Sequence, residues 1–332
     1  MAIPLSSNSF VFPKPNARRR WTPAPSIVGS LFQIFAMLRF FAFSAMGSSP
    51  GIVSHRDVGV RGRRLVDSQA GKEVAGDRVS ERIAFISDLH SNLEALKAVL
   101  ADIERKRVKR IVCLGDVIGY GPDPNAVIDI VRRTCDLVIE GNHDEAIAYK
   151  IPRHFKRLAA RAALWTRQRV KPKKGPRQKD QRERWKYLRA LPDTDELGGW
   201  LLAHGSPVSN LDYIYDKQAA LEVFERDMDN FRTCFLGHTH VPGIFLQDVG
   251  EGVHYVPAEE GKRYRVKARK MIVNVGSVGQ PRDGDPRACY VLLEGDTIRY
   301  RRVEYDVETT IKKIRDIDDL DDFLGDRLRE GR

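Results

Sequence analysis

From residue 82 onward the chain alternates short apolar runs with stretches of helical period. Residues 82–87, 110–114 and 137–139 are apolar runs of strand length, the pattern of strands covered on both faces. Between the first two, Leu93, Leu96, Val99, Leu100 and Ile103 keep the spacing of one helix face, and Asn92 is placed to cap it. Residues 125–133 repeat the helical period before the third run. This alternation predicts parallel β-α-β units with loops at the strand ends. Further on, 199–203 and 233–236 read as strands around a helix at 216–228. Strand-like runs recur at 244–247, 271–275, 289–293 and 298–303, and a charged helical tail begins at about residue 306. No internal repeat is present.

Two stretches depart from this texture. An insertion at about 150–195 is helical in pattern and basic; over 150–190 Asp180 and Glu183 are the only acids. Pro172, Gly175 and Pro176 interrupt it at 170–179. Residues 1–80 are rich in Pro, Ser, Gly and Arg, with one apolar stretch at 27–46. Arg18, Arg19 and Arg20 ahead of that stretch, and small residues behind it, suit a signal segment. Arg39 inside it argues against a membrane span. A translation start at Met37 or Met46 would make the stretch an artefact of gene calling. We read 1–80 as an unstructured or artefactual leader and 81–332 as one domain. Nothing downstream asks for export, so the expected compartment is the cytoplasm, with no stable membrane association.

Composition adds two constraints. A hydrophobic share of 42% allows a sizeable core, and a formal charge of +11 directs attention to polyanionic partners. The four cysteines, Cys113, Cys135, Cys234 and Cys289, form no CxxC unit and no zinc-finger spacing with histidine. Cys113, Cys234 and Cys289 lie in apolar runs and read as small buried hydrophobes.

The histidines carry more. Five of eight fall in short motifs at strand ends, leaving only His55, His154 and His254 outside. Asp88-Leu-His90 follows the first strand; if it stays extended, residues two apart point the same way and one metal ion takes both. Gly115-Asp116, Gly141-Asn142-His143-Asp144, Ala203-His204-Gly205 and Gly237-His238-Thr-His240 follow later strands, each polar group beside a glycine that permits close backbone approach. One such motif is usually a structural feature. Five in this order are the material of a site, and ligands in parallel sheets gather at the carboxyl ends of strands.

This series resembles the calcineurin-like metallophosphoesterase superfamily over about residues 82–305. The text around Asp88 and the stretch 275–285 are similar to the YfcE-like group of phosphodiesterases. The resemblance implies an α/β fold of four layers, an α-β-β-α sandwich of two stacked sheets flanked by helices. It implies two divalent metal ions, with Asp88, His90 and His240 on one, Asn142, His204 and His238 on the other, and Asp116 bridging. Imidazole and carboxylate donors without thiolate suit Mn, which we favour, or Fe, Zn, Co or Ni. The implied reaction is in-line attack on phosphorus by a metal-bridging hydroxide, with His143 stabilising the transition state or protonating the leaving oxygen and Asp144 orienting His143. Asn142 and Arg282 are candidates for substrate contact, Arg282 with the alternative of bracing its loop through Asp283 or Asp285.

Two departures bear on the substrate. In the protein phosphatases and dinucleoside-tetraphosphate hydrolases of the superfamily the Gly-Asp motif continues to an arginine that grips phosphate. Here Tyr120 stands in its place, and Asp144 replaces a glutamate. Loss of that clamp favours a phosphodiester, nucleotides included, or a smaller and less selective substrate, over a phosphomonoester or a dinucleoside polyphosphate. Tyr120 suits stacking on a base or aromatic leaving group, or a structural role. The basic insertion offers a third reading, a nuclease or RNA-associated protein. Its lack of interleaved aromatics argues for a solvated insertion, with Trp165, Trp185 and Tyr187 packing rather than stacking on bases.

Overall fold

The computed structural model describes residues 82–332 apart from 154, 174, 176, 177, 249, 251, 267 and 268. The leader therefore lies outside the described residues. No helix among those described is long and apolar enough to cross a membrane.

The strands and helices follow the hydrophobic pattern closely. β1 (Arg82–Ile86), α1 (Leu93–Arg105), β2 (Arg110–Cys113), α2 (Pro124–Thr134) and β3 (Leu137–Val138) form the expected alternation. β1 pairs in parallel with β2, and β2 with β3. Asn92 caps α1, its side-chain oxygen accepting from the Ala95 amide at 3.1 Å. α3 (Asn142–Ala148) starts inside the third motif, and α4 (Arg157–Val170) and α5 (Lys179–Leu188) form the basic insertion. β4 (Thr194–Leu197) and β5 (Trp200–Ala203) make a hairpin. The sequence reading began a strand at Gly199 and missed β4. The signal was Gly198-Gly199, whose φ values of 58° and 83° make a tight two-residue turn that twists with its strands.

The rest comprises α6 (Lys217–Arg226), β6 (Thr233–Leu236), β7 (Gly243–Asp248), β8 (Gly252–Pro257), β9 (Arg263–Arg265), β10 (Lys270–Asn274), β11 (Ala288–Glu294) and β12 (Thr297–Val303). The tail is α7 (Val307–Arg315), α8 (Phe323–Asp326) and a 3-10 turn, Arg327–Glu330. One sheet runs β3-β2-β1-β11-β12-β9 and the other β4-β5-β6-β10-β7-β8.

Side-chain alternation makes the layers. Ile83 and Phe85 of β1 join Leu202, Phe235, Val273, Val291 and Tyr300 in the core between the sheets. Their neighbours Ala84 and Ile86 face outward, onto Leu96, Val99 and Ile103 of α1. Phe85 stacks on Phe235 of the other sheet, rings 4.1 Å apart. On the far side, Cys234, Leu236 and Ile272 pack against Ala220, Val223 and Phe224 of α6. The result is the expected four-layer α-β-β-α sandwich. A separate cluster joins Ala162 and Trp165 of α4 to Ile311, Ile314, Leu324 and Leu328 of the tail. Each fully buried side chain of this size contributes about 1.5–3 kcal/mol, enough to hold the tail in place.

The aromatic residues of the insertion pack, as their helical context suggested. Trp165 is buried in the tail cluster, and Trp185 and Tyr187 lie against the cluster that Ala84 and Ile86 form with α1. Several basic groups there are engaged within the fold. Arg184 makes a two-pronged pair with Asp129, and Arg167 lies over the Trp185 ring.

Candidate metal and active site

The carboxyl ends of β1, β2 and β3 in one sheet, and of β5 and β6 in the other, open on one place. Buried there are Asp88, His90, Asp116, Asn142, His143, His204, His238 and His240. Two groups of ligand atoms lie within reach of a single ion each: Asp88, His90, Asp116 and His240, and Asp116, His204 and His238. Asp116 belongs to both. Its Oδ2 is 3.5 Å from His90 Nε2 and 3.4 Å from His204 Nε2. His90 Nε2 and His240 Nε2 stand 3.1 Å apart, with Asp88 Oδ1 3.1 Å from the latter. In the second group His204 Nε2 is 3.2 Å from both Asn142 Oδ1 and His238 Nδ1.

Backbone groups set the imidazole tautomers. His204 Nδ1–H donates to the Leu114 carbonyl at 2.7 Å, and His240 Nδ1–H to the Gln280 carbonyl at 2.5 Å. In the neutral ring each Nε2 turns a lone pair into the site, the usual way a protein presents histidine to a metal.

The electrostatics fit the same purpose. Burial would push the Asp88 carboxyl up, but His240 and His204 hold it below its ordinary range. His204 and His143 likewise outweigh burial at Asp116 and hold it well below. Burial holds His90 and His240 below their ordinary value and lowers His238 to about 3. Ionised carboxylates beside neutral imidazoles are the protonation state that divalent cations require. His204 is the exception: Asp116 overcomes burial and raises it to about 9. That marks a shortage of positive charge around the shared carboxylate. Convergent nitrogens and an orphaned Asp88 Oδ1 point the same way. The residues present fit a pair of metal ions.

The local backbone differs from the extended form expected of Asp88-Leu-His90. Asp88, His90, Asp116, Tyr120, His238 and His240 all have left-handed φ, between 44° and 64°. The side chains converge because the chain curls past each strand end, not because of strand alternation. Each such residue costs on the order of 1–2 kcal/mol. Glycine permits the tight fit: a Cβ on Gly141 would lie 2.1 Å from the Asp116 amide nitrogen, and one on Gly237 would lie 2.0 Å from Ser87 Oγ.

His143 stands beside the ligands without joining either group. Its amide donates to Asp116 Oδ1 at 2.8 Å, and its ring lies 4.4 Å from Tyr120 and 5.2 Å from Phe155. Its Nδ1 is buried without a partner among the described residues, and burial lowers its pKa to about 4, so it is neutral at pH 7.

Asp144 requires a correction. Its carboxylate does not orient His143; it accepts from the amides of Val117, Ile118 and Gly141, each at 3.1 Å. It ties the Gly115-Asp116 loop to the start of α3. Asp144→Ala is therefore expected to cost about 3–5 kcal/mol of stability by urea denaturation, since three buried amides lose their acceptor. An unchanged midpoint with a lost kcat would restore the orienting role.

Arg282 braces its loop through neither Asp283 nor Asp285. Those carboxylates pair with Arg302 and Arg287, while Arg282 bonds Gln280 Oε1 at 2.8 Å. Arg282 stands instead beside Tyr120. A guanidinium thus reaches the site although the Gly-Asp motif lacks one. With Tyr120, Asn142 and His143 it lines a cavity of about 610 Å³ that also takes in Phe155, Tyr213 and Arg327. The sequence reading missed these last three. Tyr213 covers His238, ring centres 3.9 Å apart, and stacks on Tyr215. The pair Tyr213 and Tyr215 near Gly205 was a usable signal.

Comparison with known proteins agrees with this geometry. The family model for the calcineurin-like phosphoesterase superfamily domain matches residues 82–297. Protein MJ0912 of Methanocaldococcus jannaschii is 34% identical over 264 residues, covering 76% of this chain and all of its own. The crystal structure of a metallophosphoesterase from Sphaerobacter thermophilus is 35% identical, with a TM-score of 0.65, covering 76% of this chain and all of that one. Protein PH1004 of Pyrococcus horikoshii shares the fold at 20% identity, with a TM-score of 0.58 over 76% of this chain and 98% of its own. The chain belongs to the calcineurin-like phosphoesterase superfamily, a family of dinuclear metal-dependent phosphoester hydrolases.

Proposed function

We propose that this protein is a phosphodiesterase that uses two divalent metal ions, manganese favoured, with His143 acting on the leaving group. One observation carries the reading: Asp116 Oδ2 lies within 3.5 Å of a histidine from each ligand set. Asp88, His90 and His240 would hold one ion and Asn142, His204 and His238 the other, with Asp116 common to both. Such a pair supplies Lewis acidity at the phosphoryl oxygens and an activated water for in-line displacement. The chain's own groups do the rest. Arg282 draws the anionic ester toward the site. His143, buried and neutral, stabilises charge on the departing oxygen by hydrogen bonding. The cavity beyond His143 accommodates an organic arm of the ester.

Arg282 favours a second reading, a phosphomonoesterase or dinucleoside-polyphosphate hydrolase, because a guanidinium is suited to a phosphate dianion. A nuclease using the basic insertion has less support, given the inward engagement of Arg167 and Arg184. The two ester readings separate on substrates that share a leaving group. With manganese-loaded protein, kcat/KM for bis(4-nitrophenyl) phosphate should exceed that for 4-nitrophenyl phosphate by at least about tenfold, a difference of about 1.4 kcal/mol in the barrier. The reverse order would make the protein a monoesterase.

A further inference from the structure

The cavity beside the metal ligands has an unusual charge balance. Every charged side chain lining it is a cation: Lys156, Arg157, Arg282 and Arg327. Its other walls include Phe155, Leu211, Tyr213 and Phe323. Arg282 and Arg327 are both partly buried and lie close enough to repel each other. Neither pairs with an aspartate or glutamate side chain among the described residues. Elsewhere the fold supplies such partners, as Arg287 has Asp285 and Arg302 has Asp283. Adjacent, partly desolvated guanidinium groups repel each other in the free protein, and a bound anion relieves that cost.

The two arginines have different neighbours. Arg282 acts electrostatically on His143 and on the ligand His240. Arg327 acts electrostatically with Arg282 and Tyr120. Arg327 is nonetheless firmly placed. Its Nε donates to the backbone oxygen of Arg332, its guanidinium lies 5.6 Å from the centre of the Phe323 ring, and flanking Leu324 and Leu328 are buried against α4 and α7. Its two terminal nitrogens have no hydrogen-bond partner among the described residues and remain available as a fork. A single phosphoryl group engaged by the metal ligands and Arg282 leaves that fork unanswered.

We propose that the tail residue Arg327 is a specificity determinant, selecting phosphoesters whose leaving group has a flat apolar body and carries a second oxyanion. The aromatic walls take the body, and Arg327 takes the second anion. This rests on the phosphoesterase reading above and narrows its substrate class. It also places a determinant beyond residue 297, where the family match ends.

The test compares two esters on the same manganese-loaded samples: methyl 4-nitrophenyl phosphate and methyl 3-carboxy-4-nitrophenyl phosphate. The ratio of their kcat/KM values is read for the wild type and for Arg327→Gln. A loss of folded protein scales both rates and leaves the ratio unchanged. The expected result is that Arg327→Gln lowers the ratio, carboxylated over plain, by about tenfold, the scale of one charge-assisted bidentate contact. An unchanged ratio overturns the proposal. If neither ester is hydrolysed with any divalent metal, the phosphoesterase reading fails by itself. Calorimetric binding of 5-hydroxy-2-nitrobenzoate against 4-nitrophenol then decides the pocket. A tenfold preference for the carboxylated phenol that Arg327→Gln abolishes supports the anion site; equal binding of the two phenols overturns it.

Discussion

Asp116→Asn is expected to lower kcat/KM by about 10³-fold or more, equivalent to roughly 4 kcal/mol, and to reduce bound metal from two ions per chain to one or fewer. The substitution preserves shape. An asparagine Oδ1 can still accept the His143 amide, now 2.8 Å away. What changes is the other atom: Oδ2, 3.5 Å from His90 Nε2 and 3.4 Å from His204 Nε2, loses its charge. In a buried site the shared negative charge is what holds two cations close together, and removing it leaves their mutual repulsion uncompensated. Metal analysis and steady-state kinetics on the same sample check the result. Two retained ions with near-normal turnover would remove Asp116 from its bridging role.

His143→Gln is expected to lower kcat by about 10²- to 10⁴-fold, the range for losing a positioned proton-handling group, while metal content stays at the wild-type level. His143 lies outside both groups of ligand atoms, so the ions should not depend on its side chain. Its ring is nonetheless buried among His90, Tyr120 and Phe155, facing the cavity. A purely structural histidine would show the opposite pattern, with a lower melting temperature and an unchanged kcat. The split between metal content and turnover therefore separates the roles of neighbours Asn142 and His143.

Most of this site was legible in the sequence because its chemistry is tied to strand ends. Apolar runs at 82–87, 110–114 and 233–236 locate the strands, and the polar group after each can only lie at the carboxyl edge of a parallel sheet. The manner of convergence was not legible. Asp88 and His90 meet through left-handed turns, and no local propensity favours φ near 50° at aspartate or histidine strongly enough to forecast it. Asp144 misled for a related reason. Its position next to His143 suggested a partner, whereas three amides from two loops claim its carboxylate.

Long-range pairing was the other hidden layer. β11 joins β1 in antiparallel register, Leu293 opposite Ile83, across more than two hundred residues of chain. That contact carries β12 and the tail to the same face as the metal ligands. Arg327 reaches the cavity by this route together with the packing of the tail on α4. A helical tail announces its apolar face through Ile311, Ile314, Leu324 and Leu328, but not which loop it will meet.

The most direct test of the account is metal reconstitution. Protein stripped with chelator is titrated with manganese while hydrolysis of bis(4-nitrophenyl) phosphate is followed. The stripped protein should show no turnover, and activity should rise to a plateau at two ions per chain. Full activity without metal, or a plateau reached at one ion, would contradict it.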